Sequence, residues 1–463
     1  MIIKLAVRVL FAHPVRSAVL AAGFGTGVAV MATLLGVAQV VLEQARSPAL
    51  VGGGDVLIAS AGTGVTAARV LLSSTLRTPP LGARIRVASP SRRGTLYVVR
   101  PDGVSPVRAR AGIPSLERAL GDPEVSAHAS WVDAPSDANW TAPDPADVLR
   151  AIDRFRPVPN VPARAASWAE WLYFNGRTST ARFYLTFLVG PAQADGRRTA
   201  GVRLQLDRGH GVESFSTPAA LDADAIGAAP ELTIAANRIR LDGLRYNITL
   251  DLRDRAGRRA EGQLFIAGAA DQLMPPIEIH GAGGWQSGYV VPVMSGRLGG
   301  SLLLVDGERI SFDQGVGYHD HNWGFWEGVS WQWGQVQHED ISIVFGRVFP
   351  PRDAADPDRI PGFLAAIGAG GPTGYATNVK IEETNAAGTS RPQRITVRAR
   401  SASIDLTLSF SVDDLVTNRM QAGPLAGAMN FLQLRGRYDV TGTAGTRRLA
   451  FQAPGSAETF RGR

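Results

Sequence analysis

The chain contains no cysteine, which removes disulfides, thiolate zinc sites, iron–sulfur ligation and a cysteine nucleophile together. A cysteine-free chain tolerates either redox poise, so this absence leaves the compartment open. Lysine is almost missing too: Lys4 and Lys380 are the only two among 48 basic residues. The arginines that make up the rest are scattered, and no basic block carries the interleaved aromatics of a nucleic-acid face, so nucleic acid is not expected as a partner. Long helical patterns are scarce, whereas 52 glycines and 29 prolines favour many turns and short strands. With 45% hydrophobic and 19% charged residues, the 463-residue chain is too apolar to be disordered and long enough for two or three domains.

One long apolar run is present. Ser17 to Leu42 is 26 residues without a charged side chain, and as a helix it reaches roughly 39 Å at about 1.5 Å per residue, enough to cross a bilayer core. A cleaved signal peptide has a shorter apolar region and a small-x-small cleavage site, and no clear site follows Leu42. Lys4, Arg8 and Arg16 precede the run, which places Met1 in the cytoplasm and the chain beyond about residue 45 outside it. The expectation is a single-pass inner-membrane protein with an anchor over 1–45 and an extracytoplasmic bulk. The motif Leu10-Phe11-Ala12-His13-Pro14-Val15-Arg16-Ser17, with Leu50-Val51-Gly52-Gly53-Gly54-Asp55-Val56 after the run, resembles the start of MacB-type ABC transporter permeases. That resemblance implies an export permease as a partner. No later stretch is long and charge-free, so the chain is not itself a permease.

Residues 46–133 read as a small mixed region resembling the extracytoplasmic start of such a permease, with strands at Asp55–Ala59 and Leu96–Arg100. A helix over Ser115–Leu120 follows Pro114. Residues 134–166 read as a linker holding one short helix, capped by Asp144, begun by Pro145 and ended before Pro157. Beyond residue 167 the apolar period is two. Tyr246, Ile248, Leu250 and Leu252 alternate with polar residues, and so do Ile404, Leu406, Leu408 and Phe410. Repeated half-buried strands separated by short turns predict a mainly β chain of antiparallel barrels or sandwiches. The expected division is a first β domain over 167–290 and a second over 291–463.

The chemistry concentrates in Gly317-Tyr318-His319-Asp320-His321-Asn322-Trp323-Gly324, followed by Trp326, Trp331 and Trp333. On a strand His319 and His321 share a face and Asp320 points the other way, whereas a glycine-bounded turn brings all three together. Indole walls around a few ionisable groups suit an apolar ligand handled by acid–base chemistry. The segment resembles the signature of the carotenoid 1,2-hydratase (hydroxyneurosporene synthase) and AttH-like family. So does Trp168-Ala169-Glu170-Trp171-Leu172-Tyr173-Phe174, where Leu172 replaces an aromatic, and the tail Ala457-Glu458-Thr459-Phe460-Arg461-Gly462 fits as well. These matches frame about 165–463. The resemblance implies two lipocalin-like barrels, no cofactor, and an acid-catalysed addition of water to an apolar isoprenoid or other lipid. Asp320, the only carboxylate inside the Trp-rich segment, is the candidate general acid, with His319 and His321 orienting it or moving a proton to water. Tyr318, Asn322, Trp323, Trp326, Trp331, Trp333, Glu170, Trp171 and Tyr173 become the ligand-binding wall.

Other readings of the same residues stand beside this one. His319, Asp320 and His321 form a buried network that pins a turn, as buried polar groups often do. Alternatively His319, His321 and His338 bind zinc, since a His-x-His strand with a third histidine on its neighbour offers three imidazoles. Glu170, Trp171 and Tyr173 serve equally as strand packing around a satisfied carboxylate. For function, an anchored hydratase-like enzyme stands against a non-catalytic lipophile-binding accessory of an ABC export system.

Overall fold

The computed structural model describes residues 82–463 except 102, 129, 228–229, 420–428 and 463, together with 68–77, 56–58 and scattered positions between 12 and 31. Among the described residues no helix is long and apolar enough to cross a membrane. The anchor expected over Ser17–Leu42 lies almost wholly outside them. The chain divides into two compact units, Met1–Val65 with Ile85–Asp137, and Thr66–Arg84 with Ala138–Arg463.

In the first unit, strands β1 (Ser91–Arg100) and β2 (Gly103–Gly112) form a two-stranded antiparallel ribbon that contains the expected strand at Leu96–Arg100. Helices α2 (Pro114–Ala119) and α3 (Pro123–Ala127) follow it, α2 starting at its proline as the sequence indicates. The Arg110 guanidinium holds the buried Glu117 and Asp122 carboxylates between ribbon and helices. Val56–Ile58, expected within a strand, are exposed and lie outside any strand.

The second unit is mostly strand, and strands make up 57% of the structure. Helix α1 (Ala68–Arg77) and, after the first unit, α4 (Ala138–Thr141) and α5 (Pro145–Ile152) precede the sheets. The first sheet comprises β3 (Trp168–Arg177), β4 (Arg182–Ala192), β5 (Arg198–Asp207), β6 (Val212–Leu221), β7 (Leu232–Ile234), β8 (Asn237–Asp242), β9 (Arg245–Arg253), β10 (Arg259–Ala267), β11 (Met274–His280), β12 (Gln286–Leu304), β13 (Arg309–Ser311) and β14 (Gly315–Phe325). Eight of these close into a barrel in the order β3-β4-β5-β6-β9-β10-β12-β14, with β14 pairing back onto β3. The second sheet holds β15 (Ser330–His338), β16 (Ile341–Phe349), β17 (Phe363–Gly368), β18 (Gly371–Ala376), β19 (Asn378–Asn385), β20 (Pro392–Arg400), β21 (Ile404–Arg419), β22 (Met429–Ala444) and β23 (Arg447–Gly462). Its order, β18-β17-β16-β15-β23-β22-β21-β20-β19, makes a nearly closed barrel. The mainly β architecture of two antiparallel barrels is therefore present.

Alternation explains why these segments pair. On β9 the buried side chains are Tyr246, Ile248, Leu250 and Leu252; on β21 they are Ile404, Leu406, Leu408 and Phe410. Each row faces a barrel interior, where a fully buried aliphatic or aromatic side chain contributes about 1.5–3 kcal/mol. The β9–β10 turn uses Asp254, whose Oδ1 accepts from Ala256 N and Arg258 N at 2.9 and 2.8 Å, and Gly257 at φ 80°.

Two boundaries differ from the sequence reading. The sheets change over between Phe325 and Ser330, not near residue 290, so the His319–His321 strand belongs to the first sheet. Turn signals at Gly281–Gly284 mark a loop but carry no information about which sheet the next strand joins. The stretch 134–166 also does more than link. Asp144 caps α5 by accepting from Ala146 N (2.7 Å) and Asp147 N (3.3 Å), with Pro145 in the first turn. Its buried face of Val148, Leu149 and Ile152 joins the first barrel's core. The helix ends at Asp153, and that residue enters the barrel.

Candidate functional site

Strand β14 presents different chemistry on its two faces, because successive side chains on a strand point oppositely. His319 and His321 point into the first barrel with no exposed surface. Tyr318, Asp320 and Asn322 point the other way, toward the second barrel. Of the two backbone possibilities the sequence offered, a strand is the one observed. Asp320 and the two histidines are therefore separated by the sheet itself.

The inner face forms a closed network. Asp153 Oδ1 lies 2.6 Å from His321 Nδ1, and Oδ2 lies 3.1 Å from His319 Nε2. Tyr246 donates its hydroxyl to Asp153 Oδ2 at 2.6 Å. His321 Nε2 meets Glu170 Oε1 at 2.9 Å, and the two Glu170 oxygens accept from Arg156 N at 2.9 and 3.1 Å. His319 Nδ1 faces the Tyr173 carbonyl at 2.9 Å, while its ring stacks on Phe174 at 4.0 Å. A carbonyl only accepts, so Nδ1 of His319 carries a proton. Asp153 lies with its carboxyl well below the usual range: burial opposes ionisation, but the charge and hydrogen bonds of His319 and His321 outweigh it. With that carboxylate ionised, each imidazole nitrogen facing it must donate. His321 faces acceptors on both sides, and although burial lowers its pKa, the hydrogen bonds it donates to Asp153 and Glu170 raise it overall. Trp323 completes this face, with Arg156 above its ring at 4.0 Å. Gly288 permits that packing, since a Cβ there would come within 2.5 Å of the indole.

The outer face meets strands β15, β22 and β23 of the second barrel. Trp333 Nε1 donates to the Tyr318 hydroxyl at 3.0 Å, and Tyr318 in turn hydrogen-bonds the Asp320 carboxyl. Asn322 Nδ2 donates to Asp320 Oδ1 at 2.6 Å. Opposite stands Glu458 of β23, in register with Trp333 and Gln433. The Tyr173 hydroxyl stands between Gln433 Oε1, at 3.4 Å, and Glu458, and its single proton goes to the carboxyl as the stronger acceptor. Asn175 Nδ2 donates to that hydroxyl at 3.4 Å. Burial and then the Glu458 charge push Asp320 well above the ordinary carboxylate value, against the hydrogen bonds from Tyr318 and Asn322. Burial raises Glu458 to about 7, against those from Tyr173 and Gln433. A buried carboxyl and a half-buried one that repel each other cannot both ionise easily, so the pair retains a proton near neutral pH.

Indoles border this pair. Trp171 lies 4.6 Å from Trp326 and 5.9 Å from Trp331, and Trp331 stacks on Phe460 at 3.9 Å. Trp333 packs edge-on against Tyr289 at 5.1 Å and Phe363 at 5.3 Å. Trp171, Asn322 and Trp331 are partly exposed and form the rim of the group.

The residues expected at the site thus fall into two sets. Asp320, Tyr318, Asn322, Tyr173, Trp171, Trp326, Trp331 and Trp333 are gathered at the outer face, whereas His319, His321, Glu170 and Trp323 are inside the first barrel. His338 joins neither: its ring stacks on Phe451 at 4.4 Å. Among the described residues no group of three or more histidine, aspartate or glutamate side chains is arranged to hold a metal. The ring nitrogens of His319 and His321 already face carboxylates and a carbonyl. Sequence reasoning missed Asp153, Tyr246, Gln433 and the part played by Glu458. Glu458 had a signal, the tail that matches the family pattern, while Asp153 had only its place at the end of an amphipathic helix.

No family model matches the chain, and no curated protein matches it. Several solved structures resemble it, three of which follow. The AttH-type protein of Nitrosomonas europaea is 15% identical, with 66% of this chain and 98% of that one covered and a TM-score of 0.45. Kievitone hydratase from Nectria haematococca is 12% identical, with 65% and 93% covered and a TM-score of 0.43. CghA with Sch210972 is 13% identical, with 66% and 94% covered and a TM-score of 0.44.

Proposed function

We propose that the face between the barrels is an acid–base site that adds water to an alkene of an apolar isoprenoid or lipid. The observation that carries this reading is the Asp320–Glu458 pair, a buried carboxyl facing a half-buried one, both raised above the ordinary carboxylate value, beside an indole wall. Asp320 gives its proton to the less substituted alkene carbon. The π electrons form the new C–H bond and leave a tertiary carbocation, which the faces of Trp331 and Trp171 stabilise by about 0.5–2 kcal/mol each. Water adds to the cation, and its surplus proton returns to the carboxylate, so one water is consumed and the acid is regenerated. The partly exposed Trp171, Asn322 and Trp331 mark where ligand and water arrive. His319 and His321 act through the fold, holding β14 from its other face. Trp323 lies on that same inner face and takes no part in cation stabilisation. The charge-free run Ser17–Leu42 supports an anchored, extracytoplasmic placement of the chain.

The test begins with mass spectrometry of lipids that co-purify with the full chain, which names the ligand. Asp320→Asn keeps the size and most hydrogen bonds but removes the transferable proton. Hydration of the identified lipid should fall by about 10²–10⁴-fold with binding retained. A folded Asp320→Asn protein with undiminished turnover would remove the acid from the mechanism. A protein that binds lipid and never changes it would point instead to a carrier serving an export system.

A further inference from the structure

The β1–β2 ribbon is unlike every other strand pair described. Among the described residues no third strand pairs with its ten-residue strands, and Leu96, Tyr97, Val99, Val104 and Val107 are exposed by 45–76%. A lone two-stranded ribbon is marginal in water, and a long apolar one with open edges invites a covering surface. The cross-strand register puts Leu96 opposite Val107 on one face, and Tyr97, Val99 and Val104 on the other. Both faces are therefore apolar. A protein partner docking on the ribbon covers one face and leaves the other in water. A surrounding medium of mixed polarity, such as the headgroup–acyl boundary of a bilayer, reaches both.

Charge selects among such media. Residues 91–112 contain five arginines, at 92, 93, 100, 108 and 110, against the single Asp102. Arg110 is engaged with Glu117 and Asp122, while Arg92 and Arg100 are exposed toward the two ends of β1. Pairing with a second copy would bring arginine-rich strands together, which like charges oppose. We propose that this ribbon docks on an anionic lipid bilayer, with its valines and Tyr97 at the boundary of headgroups and acyl chains and Arg92 and Arg100 on lipid phosphates. Depth is limited by the ribbon's unpaired edges, whose N–H and C=O groups need water or headgroup oxygens and cannot enter hydrocarbon. This inference is independent of the acid site. It is also separate from the anchor expected at residues 17–42, which would bring the ribbon near a bilayer without making it dock.

The absence of cysteine makes the test clean, since one introduced thiol takes one label. Full-length Val99→Cys, and separately Val104→Cys, is labelled with a polarity-sensitive fluorophore and reconstituted into phosphatidylcholine vesicles with or without phosphatidylglycerol. Val305→Cys, exposed on the second unit, serves as the control. The ribbon labels should shift to the blue and be quenched by brominated lipid when phosphatidylglycerol is present, with the control unchanged. Arg92→Gln and Arg100→Gln should each lower the docked-to-free ratio by about fivefold, corresponding to about 1 kcal/mol per arginine at an anionic surface. A shift insensitive to phosphatidylglycerol, or one that tracks protein concentration without lipid, would overturn the proposal. So would an equal shift elicited by RNA alone.

Discussion

Asp153→Asn is the sharpest test of the inner network. The Asp153 carboxylate accepts from Tyr246 at 2.6 Å and faces His321 and His319 at 2.6 and 3.1 Å, with all of these side chains removed from solvent. Breaking a buried charge pair by removing one partner costs about 3–5 kcal/mol. Asparagine keeps one acceptor oxygen but turns an N–H toward a ring nitrogen that must also donate, so a loss of about 3 kcal/mol is expected. For a unit larger than about 250 residues, each kcal/mol moves the melting midpoint by about 2 °C or less, giving a fall of about 5 °C. The pH dependence sharpens the test. Asp153 titrates lower folded than unfolded, so its contribution is present above about pH 4 and is lost as pH falls further. His321 titrates higher folded than unfolded, so its contribution is present below about pH 6.5 and is lost as pH rises through the folded value. Thermal melts followed by circular dichroism should thus show wild-type stability greatest between those limits, with Asp153→Asn lowering that plateau and flattening both flanks. A variant that melts within about 1 °C of wild type across pH 4–8 would refute the reasoning.

Two further substitutions probe the same geometry. Burial holds Glu458 at about 7 in the folded protein, above its unfolded value of about 4.3, so its ionisation lowers stability progressively as pH rises between the two. Glu458→Gln should remove that decline, leaving the variant more stable relative to wild type at pH 8 than at pH 5; an unchanged difference on differential scanning calorimetry would count against a raised carboxyl pair. Tyr246→Phe removes the hydroxyl that donates to Asp153 at 2.6 Å and should cost about 1.5–3 kcal/mol, as for other hydrogen bonds to charged groups, read from a denaturant midpoint.

Much of the fold was legible because its signal is local. Alternation in Tyr246–Leu252 and Ile404–Phe410 marks half-buried strands without reference to any partner, and the cap and proline at Asp144 and Pro145 mark a helix start. Pairing is not local. That β14 returns to β3, 146 residues from Tyr173 to His319, is decided by barrel closure and not by residues in the segment. The same separation hid Asp153, whose partners are 93, 166 and 168 residues away. Glu170 read equally well as packing or as chemistry, because nothing in Trp168–Phe174 tells which neighbour its carboxylate meets. The Trp-rich signature was recognisable as a concentration of aromatic and ionisable groups, but grouping Trp323 with Trp331 ignored that Trp323 shares the inner face of β14 with His319 and His321, whereas Trp331 stands on β15 of the second sheet.

Side-chain parity on β14 explains how one short strand serves two ends. In Tyr318-His319-Asp320-His321-Asn322 the odd-numbered residues are tied to Asp153, Glu170 and the Tyr173 carbonyl, and the even-numbered ones to Trp333, Tyr173's neighbours and the Asp320–Glu458 pair. A side chain on a strand is aimed only as well as its backbone is held, and a one-residue slip would exchange the two faces completely. The buried charges inside the barrel penalise such a slip heavily, since it would strand His319 and His321 away from their carboxylates and leave Asp153 unpaired. The inner network therefore acts on the outer site without touching it, by specifying the register that points Asp320 at Glu458. It follows that conservative changes inside the barrel should lower stability first and disturb the carboxyl pair only when β14 itself shifts, whereas changes at Asn322 or Tyr318 should perturb Asp320 directly while the barrel stays intact.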